Sequence, residues 1–481
     1  MGSENQYPED MGKINFNFSV LSSAADPILA PRLGRLSVVG RKPISTPHFI
    51  PLTTRGVVPH LAHDVVRRQT SISSLFIGLE DFIEQAPKEP PIFKVPTAPH
   101  ESALRKFICL PDDTLLFLGP RRIPSVVCPP ANTTTSISVM TSVGFRQLEA
   151  DQYIQSMQRL RPDAVIGMAD IVLGRKAGVK RRGKMVDRTH AYTRDATERL
   201  YGDGVSAEDC SKTAYFAPVL PLDNAEQTLY LDDLEDDLKQ FVSGLALYES
   251  ASLAIVPESL GNLPRLLFSE PATPQGVLRE ISLGADLLTI PFIAASSDAG
   301  LALDFTFPAP SSMTAQEEGA TASRPLAIDL WSPTHATNTS PLSEGCQCYT
   351  CRNHHRAYLR HLLSAKEMLA WTLLQIHNYH IMDLFFSNVR ESIIQGTFEQ
   401  DVQAFEQTYE SALPEPTGEG PRLRGYQLPA PGPNQPRRYP KVFGRLDDAA
   451  EKYAESQSSV ATPDAGADEL QERGFAEKKT P

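Results

Sequence analysis

The sequence predicts an α/β fold in which helices cover a parallel sheet. Three observations support this prediction: apolar strand-like runs alternate with amphipathic helical patterns, the connections between them are short, and the chain of 481 residues is long enough to bury a full core. The helical patterns cover residues 147–161, 187–200, 231–248 and 274–283. The strand-like runs cover residues 164–170, 215–220, 265–268 and 287–293. These units suffice for a (β/α)₈ barrel, but periodicity alone does not distinguish a barrel from an open doubly wound sheet.

The overall composition excludes some classes of protein. A formal net charge of −12 excludes a polycation that coats nucleic acid, so any nucleic-acid contact must be a local patch. The N-terminal residues lack the basic and apolar regions of a signal peptide, and no apolar run approaches the length of a membrane span. Since three of the six cysteines lie within six residues, the spacing indicates a metal site in a reducing, cytosolic compartment rather than a disulfide framework.

Proline-rich and polar stretches suggest the domain boundaries. The 40 prolines are unevenly distributed, which indicates disordered segments beside an ordinary core. We expect a disordered tail at residues 1–12, the α/β core at 13–306 and a flexible loop insertion at 307–324. Residues 325–412 are expected to hold the last segment of the core and a cysteine-rich helical subdomain, and 413–481 a disordered, proline-rich tail.

The cysteine cluster is the strongest local signal in the sequence. Cys346, Cys348 and Cys351 form a C-x-C-x₂-C pattern. Three thiolates at this spacing repel one another without a cation, and Zn²⁺ favours four nitrogen or sulphur ligands in a tetrahedron. The pattern therefore predicts a zinc site, and four protein ligands would make it structural rather than catalytic. Free thiols in a core are the alternative.

Five histidines downstream of the cysteines are candidates for the fourth ligand: His354, His355, His361, His377 and His380. Residues 352–363 have a helical pattern, and Ser364 with Glu367 matches a capping box that would open a second helix. An antiparallel hairpin of about 18 Å in each direction would bring His377 level with Cys351, whereas one straight helix would place it roughly 39 Å away. The hairpin favours His377, and the local spacing leaves His354 as an alternative.

The cysteine motif followed by His377 and Asn378 resembles the zinc motif of the tRNA-guanine (queuine) transglycosylases. Residues 34–56 (GRLSVVGRKPISTPHFIPLTTRG) and 356–378 (RAYLRHLLSAKEMLAWTLLQIHN) are similar to other segments of that family. The resemblance implies an α/β fold of the (β/α)₈ TIM-barrel type with a C-terminal zinc-binding helical subdomain. It also implies one Zn²⁺ per subunit, held by Cys346, Cys348, Cys351 and His377.

The catalytic positions of the family are not kept. Where the family has an aspartate in a D-S-G-G-F-Q segment, this chain has Thr141, and Thr289 stands at the position of the nucleophilic aspartate. A threonine hydroxyl without an activating base is a poor substitute for a carboxylate that traps an oxocarbenium-like state. Asp286 is expected on the opposite face of the strand from Thr289, and Asp298 in the following loop.

The resemblance therefore implies a non-catalytic member of the family. Such a chain would form a heterodimer with a catalytic queuine tRNA-ribosyltransferase subunit and support tRNA binding and assembly. The reaction would exchange guanine for queuine at the wobble position of tRNAs with GUN anticodons. Two alternatives remain: a transglycosylase that is competent alone, and a tRNA- or queuine-binding scaffold without an enzyme partner. The resemblance places the chain in the cytoplasm, and it allows peripheral association with the mitochondrial outer membrane.

The densest basic run lies at residues 175–188. Its candidates for tRNA phosphate contact are Lys180, Arg181, Arg182 and Lys184. A solvated loop and a nuclear-import signal are the alternatives. Just upstream, Asp170 ends a predicted strand, where it would either keep a base-contact position or cap a loop.

Overall fold

A computed structural model gives the fold of the chain. It describes residues 16–22, 29–84, 89–98, 101–128, 130–142, 144–202, 205, 212–310 and 323–421. Within these ranges, no helix has the length and the apolar character that crossing a membrane requires.

The described residues form fifteen strands and eleven α-helices, numbered in chain order. The strands are β1 (Phe16–Ser22), β2 (Leu33–Val38), β3 (Ile44–Thr46), β4 (His48–Phe49), β5 (Ser74–Gly78), β6 (Leu115–Gly119), β7 (Ser136–Thr141), β8 (Gly144–Glu149), β9 (Ala164–Ile166), β10 (Ala214–Val219), β11 (Val242–Leu247), β12 (Arg265–Leu267), β13 (Leu287–Leu288), β14 (Leu301–Leu303) and β15 (Ala327–Asp329). The helices are α1 (His63–Gln69), α2 (Ala103–Phe107), α3 (Ala150–Leu160), α4 (Val179–Tyr201), α5 (Asn224–Glu235), α6 (Pro274–Ser282), α7 (Phe292–Ala299), α8 (Tyr349–Asn353), α9 (Arg356–Ser364), α10 (Met368–Gln395) and α11 (Phe398–Thr408).

Eight parallel strands form a closed barrel. Their order is β4-β13-β12-β11-β10-β9-β6-β5, so that from β5 to β13 each barrel strand pairs with the next barrel strand, and β13 pairs with β4. The residues after β4 complete the circle: the Phe76 amide donates to the Pro51 carbonyl at 2.9 Å, and Leu52 bridges Phe76 in parallel. This closure confirms the (β/α)₈ prediction and excludes the open sheet, because an open sheet would leave two unpaired edges.

Seven of the eight barrel strands are followed by an α-helix, and β11 is followed by a 3₁₀ turn at Ser250–Ile255. The barrel interior is filled by apolar side chains, among them Phe117 and Phe216, whose rings meet edge to face with 5.6 Å between their centroids. A second and larger apolar layer lies between the strands and the surrounding helices. The interior is therefore a packed core, and a site formed by the barrel strands must lie at one of the barrel's ends.

An antiparallel sheet of β1, β2 and β3 covers the amino-terminal end of the barrel. Arg32, just before β2, donates from Nε to Oδ1 of Asp286 at 2.9 Å, and the Arg265 amide donates to Oδ2 of the same carboxylate at 2.8 Å. Arg32 and Asp286 are both buried. Asp286 therefore fixes the sheet to the amino-terminal end of the barrel. Thr289, in contrast, follows β13 at the carboxyl end of that strand.

One predicted helix is wrong. Residues 231–248 were expected to be helical, but α5 ends at Glu235 and residues 242–247 form β11. Leu245, Ala246 and Leu247 are fully buried. A parallel strand that is covered on both faces presents a continuous apolar run, which periodicity cannot separate from a buried helix. The β7–β8 hairpin before α3 was also not predicted, and it takes up the first residues of the helix expected at 147–161.

The C-terminal helices form the predicted hairpin, but a different feature breaks the chain. The helix expected at 352–363 is divided into α8 and α9, and α9 runs through Ser364, whose hydroxyl donates to the Arg360 carbonyl at 2.9 Å. Glu367 precedes α10 without a side-chain capping bond. Lys366 has a φ of 55° and makes the turn, so the capping-box explanation is wrong.

The predicted domain boundaries lie partly outside the described residues. Of the expected insertion at 307–324, residues 311–322 are not described, while Phe307 is buried against the rings of Phe385 and Phe405. Of the expected tails, residues 1–12 and 422–481 are not described. The described part of the C-terminal tail contacts the helical subdomain, where Thr417 donates to Asp329 at 2.6 Å. The boundaries therefore stay predictions.

Candidate functional site

Cys346, Cys348, Cys351 and His377 come together in the C-terminal subdomain. Their ligand atoms all lie within 4.8 Å of one another. Nδ1 of His377 lies 3.8, 3.6 and 3.4 Å from the sulphur atoms of Cys346, Cys348 and Cys351, in that order. Three thiols and one imidazole nitrogen in this arrangement can hold a metal ion.

Two helices position these four residues. Cys348 caps α8, where its sulphur accepts from the Cys351 amide at 3.3 Å, and this turn brings both sulphurs to one side. His377 comes from the middle of α10. The buried hydroxyl of Thr350 donates to the Leu373 carbonyl at 2.7 Å and so joins α8 to α10. The cluster therefore depends on the packing of two helices far apart in sequence.

Backbone contacts fix the orientation of the His377 ring. Its Nε2 lies 2.9 Å from the Leu303 carbonyl on β14, so Nε2 carries the proton that is donated there. Nδ1 is left facing the three sulphurs, and a carbonyl partner of this kind holds the ring of a metal-binding histidine in place. The neighbouring Asn378 accepts from the Leu303 amide at 2.9 Å and donates to the Leu301 carbonyl at 3.0 Å. Residues 377 and 378 together fix α10 to β14.

The electrostatics of the cluster favour binding of a cation. Burial lowers the pKa of His377, but hydrogen bonds to the sulphurs of Cys346 and Cys351 outweigh burial and raise the pKa to about 9. Hydrogen bonds with Cys348 and Cys351 lower the pKa of the Cys346 thiol, whereas those with Cys346 and Cys351 raise the pKa of the Cys348 thiol. A metal ion that binds all three sulphurs would displace the protons that the thiols hold.

The alternative ligand His354 lies outside the cluster. It ends α8 in an extended conformation, and its ring stacks on Tyr358 with 5.6 Å between ring centroids. The helix break at residues 354–355 is what turns this side chain away from the cysteines. The structure therefore groups His377, and not His354, with the three cysteines.

Thr141 and Thr289, the two threonines predicted to stand at the family's aspartate positions, are buried and bonded to the backbone. The Thr141 hydroxyl, at the end of β7, donates to the Gly144 carbonyl at 2.8 Å. The Thr289 hydroxyl, just after β13, donates to the Leu267 carbonyl at 3.3 Å. Asp298 lies within α7 rather than in the expected loop, and its carboxylate contacts Nε2 of His60 at 2.5 Å.

Asp170 lies at the carboxyl end of β9, and arginine and asparagine side chains occupy both of its oxygens. Arg181 approaches the two oxygens at 2.5 and 2.7 Å, Asn132 donates to Oδ1 at 2.6 Å, and Arg188 donates to Oδ2 at 3.0 Å. Although burial raises the pKa of this carboxyl, these bonds outweigh it and lower the pKa. Four donors use the lone pairs of a carboxylate, so Asp170 has no acceptor capacity left for a base.

The sequence analysis missed a pair of acidic residues at the carboxyl end of the barrel strands. Glu80 and Asp81 directly follow the buried strand β5, a position where barrel sites are found. Glu80 accepts from the amides of Arg122 and Met140 at 2.8 and 2.7 Å. Asp81 accepts from the Arg122 guanidinium at 2.7 Å. Two consecutive acidic residues after an apolar strand-like run would have indicated this position in the sequence. In the structure, both carboxylates accept hydrogen bonds from other residues of the barrel.

The structure divides the basic run into exposed and paired side chains. Lys180 and Lys184, in the first turns of α4, are exposed. Arg181 is bonded to Asp170, and Arg182 donates to Glu226 at 2.7 Å. The four predicted phosphate contacts therefore differ: two lysines are presented to solvent, and two arginines fix the helix to the barrel.

Comparison with known proteins agrees with this geometry. Residues 28–411 match the family model described as queuine tRNA-ribosyltransferase. The chain belongs to the queuine tRNA-ribosyltransferase family. It is 36% identical over 416 residues to the Schizosaccharomyces pombe protein named queuine tRNA-ribosyltransferase accessory subunit 2. The aligned residues cover 84% of this chain and 88% of the relative.

Two further members of the family with that same name are similar along most of their length. The Xenopus tropicalis protein is 29% identical over 414 residues, covering 76% of this chain and 94% of the relative. The Anopheles gambiae protein is 26% identical over 422 residues, covering 82% and 93%. The similarity to these family members therefore spans both the barrel and the cysteine-rich subdomain.

Proposed function

We propose that this chain is the non-catalytic subunit of a heterodimeric tRNA-guanine transglycosylase, which exchanges guanine for queuine at the wobble position of tRNAs with GUN anticodons. One observation carries the proposal: Thr141 and Thr289 stand where the family resemblance expects aspartates, and both hydroxyls donate to backbone carbonyls. The names of the similar proteins support it, because each describes an accessory subunit.

The chemistry of base exchange explains why these positions matter. Displacing a base from ribose develops positive charge that a carboxylate can trap. A hydroxyl that already donates to a carbonyl, without an adjacent base, lacks that capacity. The carboxylates of Asp170 and Asp81 at the barrel mouth are paired with arginines, and Glu80 accepts two amides. We infer that none of these acids replaces the missing aspartates.

The metal is proposed to be one Zn²⁺ per chain. With Zn–S near 2.3 Å and Zn–N near 2.0–2.1 Å, a tetrahedron has sulphur–nitrogen edges of about 3.6 Å. The three distances from Nδ1 of His377, between 3.4 and 3.8 Å, fit that edge. Since four protein ligands complete the coordination, the ion would stabilise the subdomain rather than activate water.

The proposed contribution to the heterodimer is tRNA binding and assembly. The exposed Lys180 and Lys184 are at the carboxyl end of the barrel, since α4 follows β9, and they support contact with tRNA phosphates. Arg181 and Arg182 are assigned a supporting role, because their charges are neutralised by Asp170 and Glu226. We also propose a cytoplasmic location with peripheral association at the mitochondrial outer membrane, which fractionation of cells would test.

An incorporation assay tests the proposed function. Labelled queuine and tRNA are incubated with the purified chain, with a catalytic family member, and with the mixture. We expect no incorporation by the chain alone and faster incorporation by the mixture than by the catalytic protein alone. Incorporation by the chain alone would favour a competent enzyme. A mixture no faster than the catalytic protein, although the chain binds tRNA, would favour a scaffold without an enzyme partner.

A further inference from the structure

A polar cleft of about 600 Å³ lies between the cysteine-rich subdomain and the amino-terminal side of the barrel. One wall is formed by α1 and the residues leading to β5, and the facing wall by α8 and the middle of α10. Ligand sites for small molecules have volumes of about 300–1,000 Å³. The cleft is therefore large enough for a small molecule, and it lies away from the barrel mouth.

Two arginines on different walls of this cleft have no ionic partner. Arg68 is contributed by α1 and Arg352 by α8, and both are exposed. Neither guanidinium makes an ion pair or a side-chain hydrogen bond with any of the residues that the structure describes. Other arginines of the same subdomain do have partners. Arg356 donates to the carbonyl oxygens of Pro341 and Leu342, and Arg360 donates to that of Ser332. Two guanidinium groups without a partner among the described residues therefore line the same cleft.

The remaining charges in the cleft leave it cationic. Arg390 also lines it and donates to the Pro47 carbonyl at 2.9 Å. Asp383 is the one acidic side chain among the lining residues; it accepts from the Ser71 hydroxyl, and burial raises its pKa. Three guanidinium groups thus line the cleft with one carboxyl group, beside the hydroxyls of Ser45, Ser73 and Ser387. Cys348 also lines it, and with three thiolates around one Zn²⁺ the cluster would carry one negative charge, so the positive charges still outnumber the negative ones.

His48 also lines the cleft, and its Nδ1 is shielded from solvent. Burial, and then the charge of Arg390, lowers the pKa of His48 to about 3, so the ring is neutral. His48 therefore adds no charge to the cleft.

We propose that this cleft binds a phosphate group, held between Arg68 and Arg352. The planar guanidinium group donates two parallel hydrogen bonds to a phosphate, and converging arginines are the usual way in which proteins hold this group. The phosphate belongs either to a free phosphorylated small molecule or to the backbone of an RNA strand, and both present the same chemistry. The inference uses no residue of the barrel mouth, so the arginine variants test it separately from the proposed base exchange.

Calorimetric titration of the metal-loaded full chain tests the proposal, with ribose 5-phosphate and a single-stranded RNA decamer as separate probes and ribose as the uncharged control. We expect saturable binding of at least one phosphate probe and none of ribose. Arg68→Ala and Arg352→Ala should each weaken that binding about tenfold or more, because each removes a charge-assisted contact. Arg67→Ala removes the neighbouring charge, which lies outside the cleft, and should change the affinity for the phosphate probe less than about twofold.

The two probes separate the two sources of phosphate. Binding of ribose 5-phosphate with this arginine dependence supports a free phosphate ester, and binding of the decamer alone with the same dependence supports an RNA backbone. Absence of saturable binding by both probes would overturn the proposal, as would equal weakening by Arg67→Ala. Arg352→Glu gives a second variant, and metal content and melting temperature confirm that each variant is folded.

Discussion

The imidazole of His377 and the carbonyl oxygen of Leu303 lie 2.9 Å apart. This contact uses the Nε2 proton of the ring and leaves Nδ1 facing the three cysteine sulphurs. It also joins the longest helix, α10, to β14, which follows the last helix of the barrel. The candidate metal centre and the connection between subdomain and barrel are thus parts of one arrangement.

Replacing Cys348 with serine should abolish metal binding. Cys348 is the most central of the three cysteines in the sequence motif and is buried, so a hydroxyl there lacks the thiolate that the ion requires. We expect elemental analysis to fall from about one zinc per chain to near zero, with a lower melting temperature. Cys109→Ser, at an exposed cysteine, is the control and should keep its metal. Full zinc content in Cys348→Ser would contradict the assignment.

Asn378→Ala should destabilise the chain by about 3 kcal/mol. The buried amide satisfies the Leu303 amide, the Leu301 carbonyl and the Ser297 hydroxyl, all of which would lose a partner. Urea unfolding measures the change. Asn353→Ala serves as the control, because its exposed side chain donates only to the Tyr349 carbonyl and its loss should cost less than about 1 kcal/mol. Equal effects of the two variants would refute this role of Asn378.

Stability should fall as pH rises through the titration of Glu280. Burial raises the pKa of this carboxyl to about 7 in the folded chain, against hydrogen bonds from Ser269 and Ser250 that lower it. Because the folded-state pKa lies above the ordinary 4.5, folding favours the protonated carboxyl group. The stability associated with that protonated group is fully present below about pH 4.5 and is lost as pH rises through about 7. The loss of stability amounts to roughly 3 kcal/mol.

Glu280→Gln should remove that part of the pH dependence. Urea unfolding at about pH 5 and about pH 8 should show that the variant gains stability relative to the native chain at the higher pH. The matched control is Glu258→Gln, at an exposed position, which should leave the pH dependence unchanged. If the native chain and Glu280→Gln lost the same stability between the two pH values, burial of this carboxyl would not be the cause.

Lys180→Ala and Lys184→Ala should each weaken tRNA binding and reduce its salt dependence. Each exposed lysine that neutralises one phosphate contributes about 0.7–0.9 to the slope of log K against log salt concentration. Filter binding at several salt concentrations measures both effects. Lys42→Ala, paired with Asp113 at the amino-terminal end of the barrel, is the control and should change neither. An unchanged slope in both lysine variants would point to a solvated helix face.

The sequence supplied much of the fold because its strongest signals are local. Buried strands such as β10 and β12 and helices such as α6 lie where the apolar patterns predicted them. The prediction was wrong at β11, where a strand covered on both faces has the composition of a buried helix. It was also wrong about the turn before α10, because the left-handed conformation of Lys366, which no local preference requires, ends the preceding helix.

The sequence by itself determined which side chains are available: three thiols at metal spacing, a histidine and asparagine pair downstream, and threonines rather than carboxylates at positions 141 and 289. Only the tertiary structure decided how these groups combine. It closed the barrel through Pro51 and Phe76, brought His377 rather than His354 to the cysteines, and placed Arg68 opposite Arg352 across a cleft. The physical reason is that sequence patterns report only the neighbours of a residue along the chain. Closure of the barrel and grouping of the four candidate metal ligands join residues that are far apart in sequence, and these contacts depend on the packing of the whole core.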